Sequence, residues 1–527
     1  MEASIVTYAP RPLPLRLPRV CVAVTGSDAA ELIAKAEALV RDNPLIELRL
    51  DYLRRPGLAY PKIKRLLEFH PYAVLIATCR RAVNGGKFRG TAAGQVDILI
   101  KAAVNGCQLV DLEYESASKL KRSELEKIRR HARLMISFHD FRGTRKLEDT
   151  LKKLTSLPGD YFKIVTTATR LSDNVTMMKF LQRWGEQYPL IGLCMGEQGI
   201  ISRILGVRAG SVFTFAAATK GEETAPGQIA ARTLRDTYRV DTVDAATRVY
   251  GVAGDPISHS LSPAMLNAAF RRENVNGVYL ALHAKELDDL LACVRDIPIH
   301  GLSVTMPYKE AIVGYLDNTD PIAAKVGAVN TVIRSQDGKL YGFNTDVSGI
   351  IRPIEQRMNI PGAKVLVVGA GGAARAAVFG LKDRGAEVYV FNRTPGAAQR
   401  LAKQARARFA SKGDLKKLQV DVIVNATPAG MANGRTPAAL DDKDMNARYL
   451  LEMVYRPSET KLVKMARAKG IHIIPGTEMF VYQGARQFEI WTGKPAPLDD
   501  MMNVVQRALA EEAAAKASTN GTKKKRR

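Results

Sequence analysis

At 527 residues the chain is too long for one ordinary hydrophobic core, so several domains are expected. Hydrophobic residues at 46% and charged residues at 25% match soluble globular chains; they exclude a collagen-like or wholly disordered polypeptide, and no apolar run reaches the roughly 20 residues of a membrane helix. The 78 Lys and Arg against 53 Asp and Glu give +25, a balance that favours anionic ligands and leaves loose nucleic-acid adhesion open.

In chain order, the N-terminus carries Glu2 and several prolines among its arginines and no apolar signal core, so the cytoplasm is the expected compartment. Eight short β-rich runs follow: Val20 to Thr25, Leu45 to Asp51, Ala73 to Arg80, Leu109 to Tyr114, Leu134 to Asp140, Tyr161 to Thr166, Leu190 to Met195 and Val212 to Ala216. Stretches with apolar residues at helical spacing, such as Ala29 to Val40 and Leu120 to Arg130, lie between them. Eight β/α units predict an α/β fold that opens with a (β/α)8 TIM barrel, its site at the carboxyl ends of the strands. The five cysteines are odd in number, widely spaced and mostly in apolar runs, which reads as buried free thiols rather than disulfides or a metal site.

A buried parallel strand should be apolar throughout, so its polar residues are informative. Glu47, Arg49 and Asp51 alternate and therefore point to one side, which in a barrel is the interior. Asp111 and Glu113 alternate likewise, and Arg80 and the His139-Asp140 pair sit at strand ends. Lys163 interrupts the apolar run from Tyr161 to Val165. By itself it fits a snorkelling lysine; with a histidine and arginines nearby it fits an amine that, among cations and away from water, gives up its proton and attacks a ketone.

Residues 18 to 240 resemble the class I 3-dehydroquinate dehydratases, through Glu47 to Asp51, Arg80, Ser137 to Phe141, Lys163, Met195-Gly196, Ser202-Arg203 and Pro226-Gly227-Gln228. The resemblance implies that Lys163 forms an iminium with the substrate ketone and that His139 serves as base and then acid. It further implies that Arg203 holds the carboxylate, that Glu47, Arg49 and Arg80 bind ring hydroxyls, and that the loop from Glu222, with Thr224 and Gln228, closes over the site. Asn84 stands where the family pattern has a Glu before two glycines.

A linker near Asp241 to Arg248 precedes a new strand, Val249 to Ala253. Further on, the strand Ala363 to Val368 runs into Gly369-Ala370-Gly371-Gly372-Ala373 and a helix, a turn that lets backbone approach a pyrophosphate. Such a turn can also be purely structural. The next strand ends in Asn392-Arg393-Thr394, and an arginine there suits a 2′-phosphate, favouring NADP over NAD. Val249 to Leu509 resembles shikimate dehydrogenase, through Ser258 to Pro263, Ser303 to Lys309, Gly327 to Thr331, Gly342 to Asp346 and Asn425 to Met431. The resemblance implies that Lys309 donates a proton beside Asp346, and that Ser260, Ser262, Thr305, Asn330, Tyr455 and Gln483 bind substrate. The cofactor would meet Gly369, Gly371, Gly372, Ala373, Asn392, Arg393, Thr394, Met453 and Gly476. Ser303 stands where the family usually has Asn, and Glu452 where its Asp-x-x-Tyr-x-Pro signature has Asp.

The domains expected are a barrel over 18–242, a substrate-binding domain over 248–347 completed by helices at 478–510, a Rossmann NADP-binding domain over 348–477 and a basic disordered tail over 513–527. The expected function is a bifunctional shikimate-pathway enzyme, a lyase and an oxidoreductase acting in sequence on 3-dehydroquinate, 3-dehydroshikimate and shikimate. NADP(H) is the one cofactor expected, with no metal and no prosthetic group for the dehydratase half. Two alternatives stand beside it: a catalytically silent ligand sensor, and a second half that acts on quinate with NAD. The basic tail reads as a solvated end, so neither nucleic acid nor membrane is an expected partner, and oligomeric state is left open.

Overall fold

The computed structural model describes residue 13 and residues 16–257, 260–297, 299–431 and 438–524. Chain contacts separate two compact units, Met1–Thr247 with Leu282–Pro298 and Arg248–Ala281 with Ile299–Arg527.

In the first unit eight parallel strands form one sheet: β1 (Val20–Val24), β2 (Leu45–Arg49), β3 (Val74–Thr78), β4 (Leu109–Glu113), β5 (Arg133–His139), β6 (Tyr161–Thr167), β7 (Leu190–Met195) and β8 (Thr214–Ala217). Their order runs from β7 down to β1 and on to β8, which curls the sheet into a nearly closed barrel. Just before β8, Val212 donates to Leu190 O across the remaining seam at 2.8 Å. The strands are buried along almost their whole length because helices such as Ala29–Leu39 and Ser172–Trp184 cover the outside. Register sets neighbours at the barrel mouth: Glu113 lies beside Ser137, and Ser137 beside Lys163. Asp51 falls in a single 3₁₀ turn, Leu50–Tyr52, after the strand rather than in it. The helix Leu287–Asp296 counts with this unit, since Asp289 accepts from Leu171 N (2.7 Å) and Ser172 N (3.2 Å) at the start of the helix Ser172–Trp184.

The second unit holds two further sheets. The strands β9 (Arg248–Gly254), β10 (Gly277–His283), β11 (Ile299–Val304), β12 (Asn318–Thr319), β13 (Thr331–Arg334) and β14 (Leu340–Phe343) lie in the order β10-β9-β11-β13-β14-β12. Then β15 (Lys364–Val368), β16 (Glu387–Phe391), β17 (Arg408–Phe409), β18 (Val420–Asn425), β19 (Ala447–Glu452) and β20 (His472–Ile474) lie parallel in the order β17-β16-β15-β18-β19-β20, the doubly wound nucleotide-binding arrangement. The helix Gly476–Thr492 returns from this sheet to pack on the helix Asp346–Glu355, and their approach is close enough that a Cβ on Gly349 would stand 2.7 Å from Met479 O.

One expectation changes. The final helix runs Leu498–Lys524, so most of the stretch expected as a disordered tail is helical; its Ala- and Glu-rich run from Glu511 is good helix-forming sequence, and 525–527 lie outside the described residues. Ser258 and His259 also lie outside them.

Gly349→Ala is expected to destabilise the second unit by about 2 kcal/mol, because Met479 O is backbone and cannot swing away. Chemical unfolding should show the loss in that unit's transition alone, with the barrel's unchanged.

Candidate active sites

At the barrel mouth a cavity of about 120 Å³ is lined by Glu47, Arg49, Arg80, His139, Lys163, Arg203, Thr224 and Gln228. These are the eight residues singled out in this half. They come from β2, β5 and β6, the segment just past β3, the helix Ile200–Leu205 and the loop that follows β8. Asn84, Phe141, Phe215 and Pro226 complete the wall.

Lys163 is buried, as a strand lysine without a surface should be, but its nearest charged partner is a carboxylate. Nζ donates to Asp111 Oδ2 at 2.9 Å, lies 3.9 Å from Glu47 Oε1 and stands 3.8 Å over the Phe215 ring. The expectation that cations alone surround Lys163 therefore needs correction. Arg80 gives Nη2 to Asp111 (2.9 Å) and Nη1 to His139 Nδ1 (3.0 Å). Burial first, then the charges of Arg80 and Lys163, hold the His139 imidazole well below its ordinary range, so it is neutral near pH 7. Arg49 makes a two-donor fork to Asp51 at 2.9 and 2.8 Å. Asn84 donates to Glu115 Oε2 (2.9 Å), and the hydrogen bond to His139 Nδ1 comes from Arg80.

Arg203 is 1% exposed, gives Nη2 to Pro226 O at 3.0 Å, and leaves Nε without a partner. Burial pushes it down to about 10, still protonated near neutrality, and among the described residues none supplies it with a carboxylate. The loop above it is drawn in: Gly196 N donates to Pro226 O (3.0 Å), Gln228 Oε1 accepts from Thr224 N (2.7 Å), and Lys35 reaches Glu222 from the helix Ala29–Leu39 at 2.6 Å. Gly227, at φ +69, lies so close to Gly196 O that a Cβ would stand 2.2 Å from it.

In the second unit Lys309 Nζ meets Asp346 Oδ2 at 2.5 Å, and Asn330 Nδ2 donates to Asp346 Oδ1 at 2.8 Å. Asp346 opens the helix Asp346–Glu355 without capping it, because its carboxylate is taken by these two donors. Asn330 Oδ1 is held in turn by Thr345 N and Thr331 Oγ1, both at 2.8 Å. Ser303 accepts from the Tyr279 hydroxyl (2.6 Å) and donates to Gln487 Oε1 (2.8 Å), and Gln487 Nε2 reaches Thr331 Oγ1 (3.0 Å). Ser260 Oγ accepts from Ser262 N at 3.3 Å, and Ser262 is buried. Gln483 donates to Phe480 O, and Tyr455 stacks on Phe480 at 5.0 Å. Thr305 lies half-buried where Gly254 approaches it.

At the nucleotide turn, Gly369 takes φ +122, and open space surrounds Gly371 and Gly372 at the start of the helix Gly372–Asp383, with Ala373 next in its first turn. Arg393 and Thr394 are exposed at the end of β16, and Asn392 Nδ2 donates to Thr394 O. This arrangement suits a pyrophosphate at the turn and a second phosphate beside Arg393. Met453 N bonds Asn425 O at 3.2 Å; Gly476 has a packing reason of its own, since a Cβ there would meet Glu452 O at 2.6 Å.

Asp111, Phe215, Tyr279 and Gln487 were not singled out as site residues. The alternation of Asp111 with Glu113 was a usable signal; the other three look like ordinary apolar or helical residues until the fold sets them in place.

A nearly closed ring of strands with a buried lysine and an unpaired guanidinium at its mouth, joined to a nucleotide-binding unit with its own Lys-Asp pair, defines a fused lyase and dehydrogenase. Residues 20–245 match the type I 3-dehydroquinase family, 252–332 the shikimate dehydrogenase substrate binding domain, 354–433 shikimate / quinate 5-dehydrogenase and 476–506 the shikimate 5′-dehydrogenase C-terminal domain. A chloroplastic bifunctional 3-dehydroquinate dehydratase/shikimate dehydrogenase of Arabidopsis thaliana is 34% identical over 506 residues, 91% of this chain and 82% of that protein. A shikimate dehydrogenase (NADP(+)) of Methanopyrus kandleri is 40% identical over 281 residues, 50% of this chain and 97% of that one. The crystal structure of a Thermus thermophilus shikimate 5-dehydrogenase with NADP(H) and shikimate is 35% identical, with TM-score 0.47, over 50% of this chain and 100% of that one. The chain belongs to the bifunctional 3-dehydroquinate dehydratase/shikimate dehydrogenase family. No helix among the described residues is long and apolar enough to cross a membrane.

Beside the nucleotide site, Glu452 accepts from Asn425 Nδ2 (2.8 Å), Val454 N (3.1 Å) and Thr460 Oγ1 (2.9 Å), yet burial outweighs these donors and pushes its carboxyl from 4.5 up to about 7. The folded state then binds more protons than the unfolded one between these values. The stability Glu452 contributes is present below about pH 4.5 and is lost as pH rises through about 7, a step of about 3 kcal/mol. Denaturant midpoints of the second unit should fall over this range, and Glu452→Gln should flatten the slope.

Proposed function

We propose that the first unit dehydrates 3-dehydroquinate through a Schiff base at Lys163 and that the second reduces 3-dehydroshikimate to shikimate with NADPH. The observation that carries the first assignment is Arg203. A guanidinium buried this deeply, and without a carboxylate among the described residues, is stabilised by an arriving anion, and a substrate carboxylate across the cavity from a lysine brings its ketone to the amine. Once the iminium forms, it draws electrons from the neighbouring carbon and makes its proton removable; His139 takes that proton and returns it to the departing hydroxyl. A guanidinium can only donate, so with Arg80 on Nδ1 the neutral ring carries its proton on Nε2. Base work at Nδ1 therefore begins with Arg80 leaving that nitrogen while Asp111 still holds it. Glu47 and Arg49 face the cavity and receive ring hydroxyls, and Thr224 and Gln228 close it from the loop.

In the second unit Lys309 gives a proton to the alkoxide that forms as the ketone is reduced, and Asp346, steadied by Asn330, holds the ammonium in place. Ser260 and Ser262 offer hydroxyls to the carboxylate, with Thr305, Tyr455 and Gln483 on the remaining sides. NADPH supplies the hydride when bound. Gly369, Gly371, Gly372 and Ala373 take its pyrophosphate, Asn392, Arg393 and Thr394 its 2′-phosphate, and Met453 and Gly476 border the nicotinamide end. The NADP(+) in the name of the Methanopyrus kandleri relative supports this cofactor.

The test is to give the purified chain 3-dehydroquinate, follow the enoate absorbance, and then add NADPH and follow its consumption. Both phases are expected. Lys163→Ala should reduce the first to background and leave reduction of added 3-dehydroshikimate intact, and Lys309→Ala should do the reverse. Arg393→Ala should raise KM for NADPH about tenfold or more and leave KM for NADH alone, since one charge-assisted phosphate contact is lost. Quinate oxidised with NAD faster than shikimate with NADP would replace this reading of the second half.

A further inference from the structure

Asp111 accepts from three side chains at the barrel mouth and does not itself line the cavity. Oδ2 accepts from Lys163 Nζ and Arg80 Nη2, each at 2.9 Å, and Oδ1 accepts from Ser137 Oγ at 2.6 Å. Its side chain has no exposed surface, and it is absent from the cavity wall that Lys163, Arg80 and Glu47 help to form. It therefore lies behind the reacting nitrogen, where it touches Nζ but not a substrate ring.

We propose that Asp111 is a catalytic residue of the dehydratase: the fixed counter-ion of the Lys163 iminium, held in place by Arg80 and Ser137. This rests on the Schiff-base reading above and assigns where its charge is balanced. Ammonium and ketone give iminium and water: two of the three Nζ protons leave with the ketone oxygen and the third stays on nitrogen. Nζ attacks as the neutral amine and gains its positive charge when water leaves to form the iminium, and the N–H that remains then has Asp111 Oδ2 beside it. Burial favours the neutral acid, but the charges of Arg80 and Lys163 hold the Asp111 carboxyl well below its usual range, so it keeps its charge rather than taking the proton. Glu47 is the other carboxylate near Nζ, at 3.9 Å, and it faces the cavity, where ring hydroxyls compete for it.

The experiment is borohydride trapping of the full chain with saturating 3-dehydroquinate, read by mass spectrometry at Lys163, beside turnover of both halves. In Asp111→Asn the trapped fraction near neutral pH should fall at least tenfold and dehydratase kcat about a hundredfold, while reduction of 3-dehydroshikimate is unchanged. Ser137→Ala keeps the carboxylate and frees one of its oxygens, so it should lower trapping in the same direction by tenfold or less; it decides the matter if Asp111→Asn does not fold. Asp111→Glu should restore part of the trapped fraction, which a purely spatial role would not allow. Full trapping in Asp111→Asn, or in Ser137→Ala where Asp111→Asn does not fold, overturns the proposal and leaves the Schiff base standing. No trapping at Lys163 in the unaltered chain overturns the Schiff base and the proposal together.

Discussion

Three donors converge on the Asp111 carboxylate, two from strands and one from the end of a third: Lys163 from β6, Ser137 from β5, and Arg80 just beyond β3. The arrangement of the dehydratase mouth depends on that convergence. Each cation alone would be too costly to bury, and the carboxylate alone would take up a proton; together they remain charged although almost wholly buried. Arg80 is fixed by Asp111 and can then reach His139, so the position of the imidazole follows from the same anchor. Arg203 stands apart with no anion of its own among the described residues, and that imbalance suits the cavity to the anionic substrate proposed for it.

The second unit solves a related problem with the order reversed. Its lysine and aspartate also bond each other, at 2.5 Å, but Lys309 keeps 22% of its side chain exposed, whereas Lys163 keeps 5%. In the proposed roles, contact with water would let Lys309 reload its proton after each turnover, and burial would keep the Lys163 nucleophile from side reactions. Behind Asp346 the support is uncharged: Asn330, Thr331, Gln487, Ser303 and Tyr279 pass hydrogen bonds inward, so no further buried charge has to be balanced. Ser303 serves this chain well for that reason, because its hydroxyl both accepts from Tyr279 and donates to Gln487.

Much of this was legible in residue order. The eight β-rich runs became eight strands, since runs of four to eight apolar residues separated by helical periods have few other ways to pack. The alternation of Glu47 with Arg49, the lysine within an apolar strand and the glycine-rich turn after β15 each fixed a direction or a conformation locally, and the structure gathers the residues chosen at the barrel around one cavity. The tail was misjudged because basic residues at the terminus outweighed the helix-forming alanines before them.

What the sequence alone determined is what period and residue type enforce: which segments are strands, which side chains face inward, and which residue types are out of place in an apolar setting. Only the tertiary structure decided who partners whom. Lys163 could have met cations or a carboxylate, and Asn84 could have met His139 or Glu115; strand register and loop path chose the carboxylate and Glu115. These choices depend on distances between residues far apart in the chain, and such distances are set by the closure of the barrel and the packing of helices, which no local pattern records.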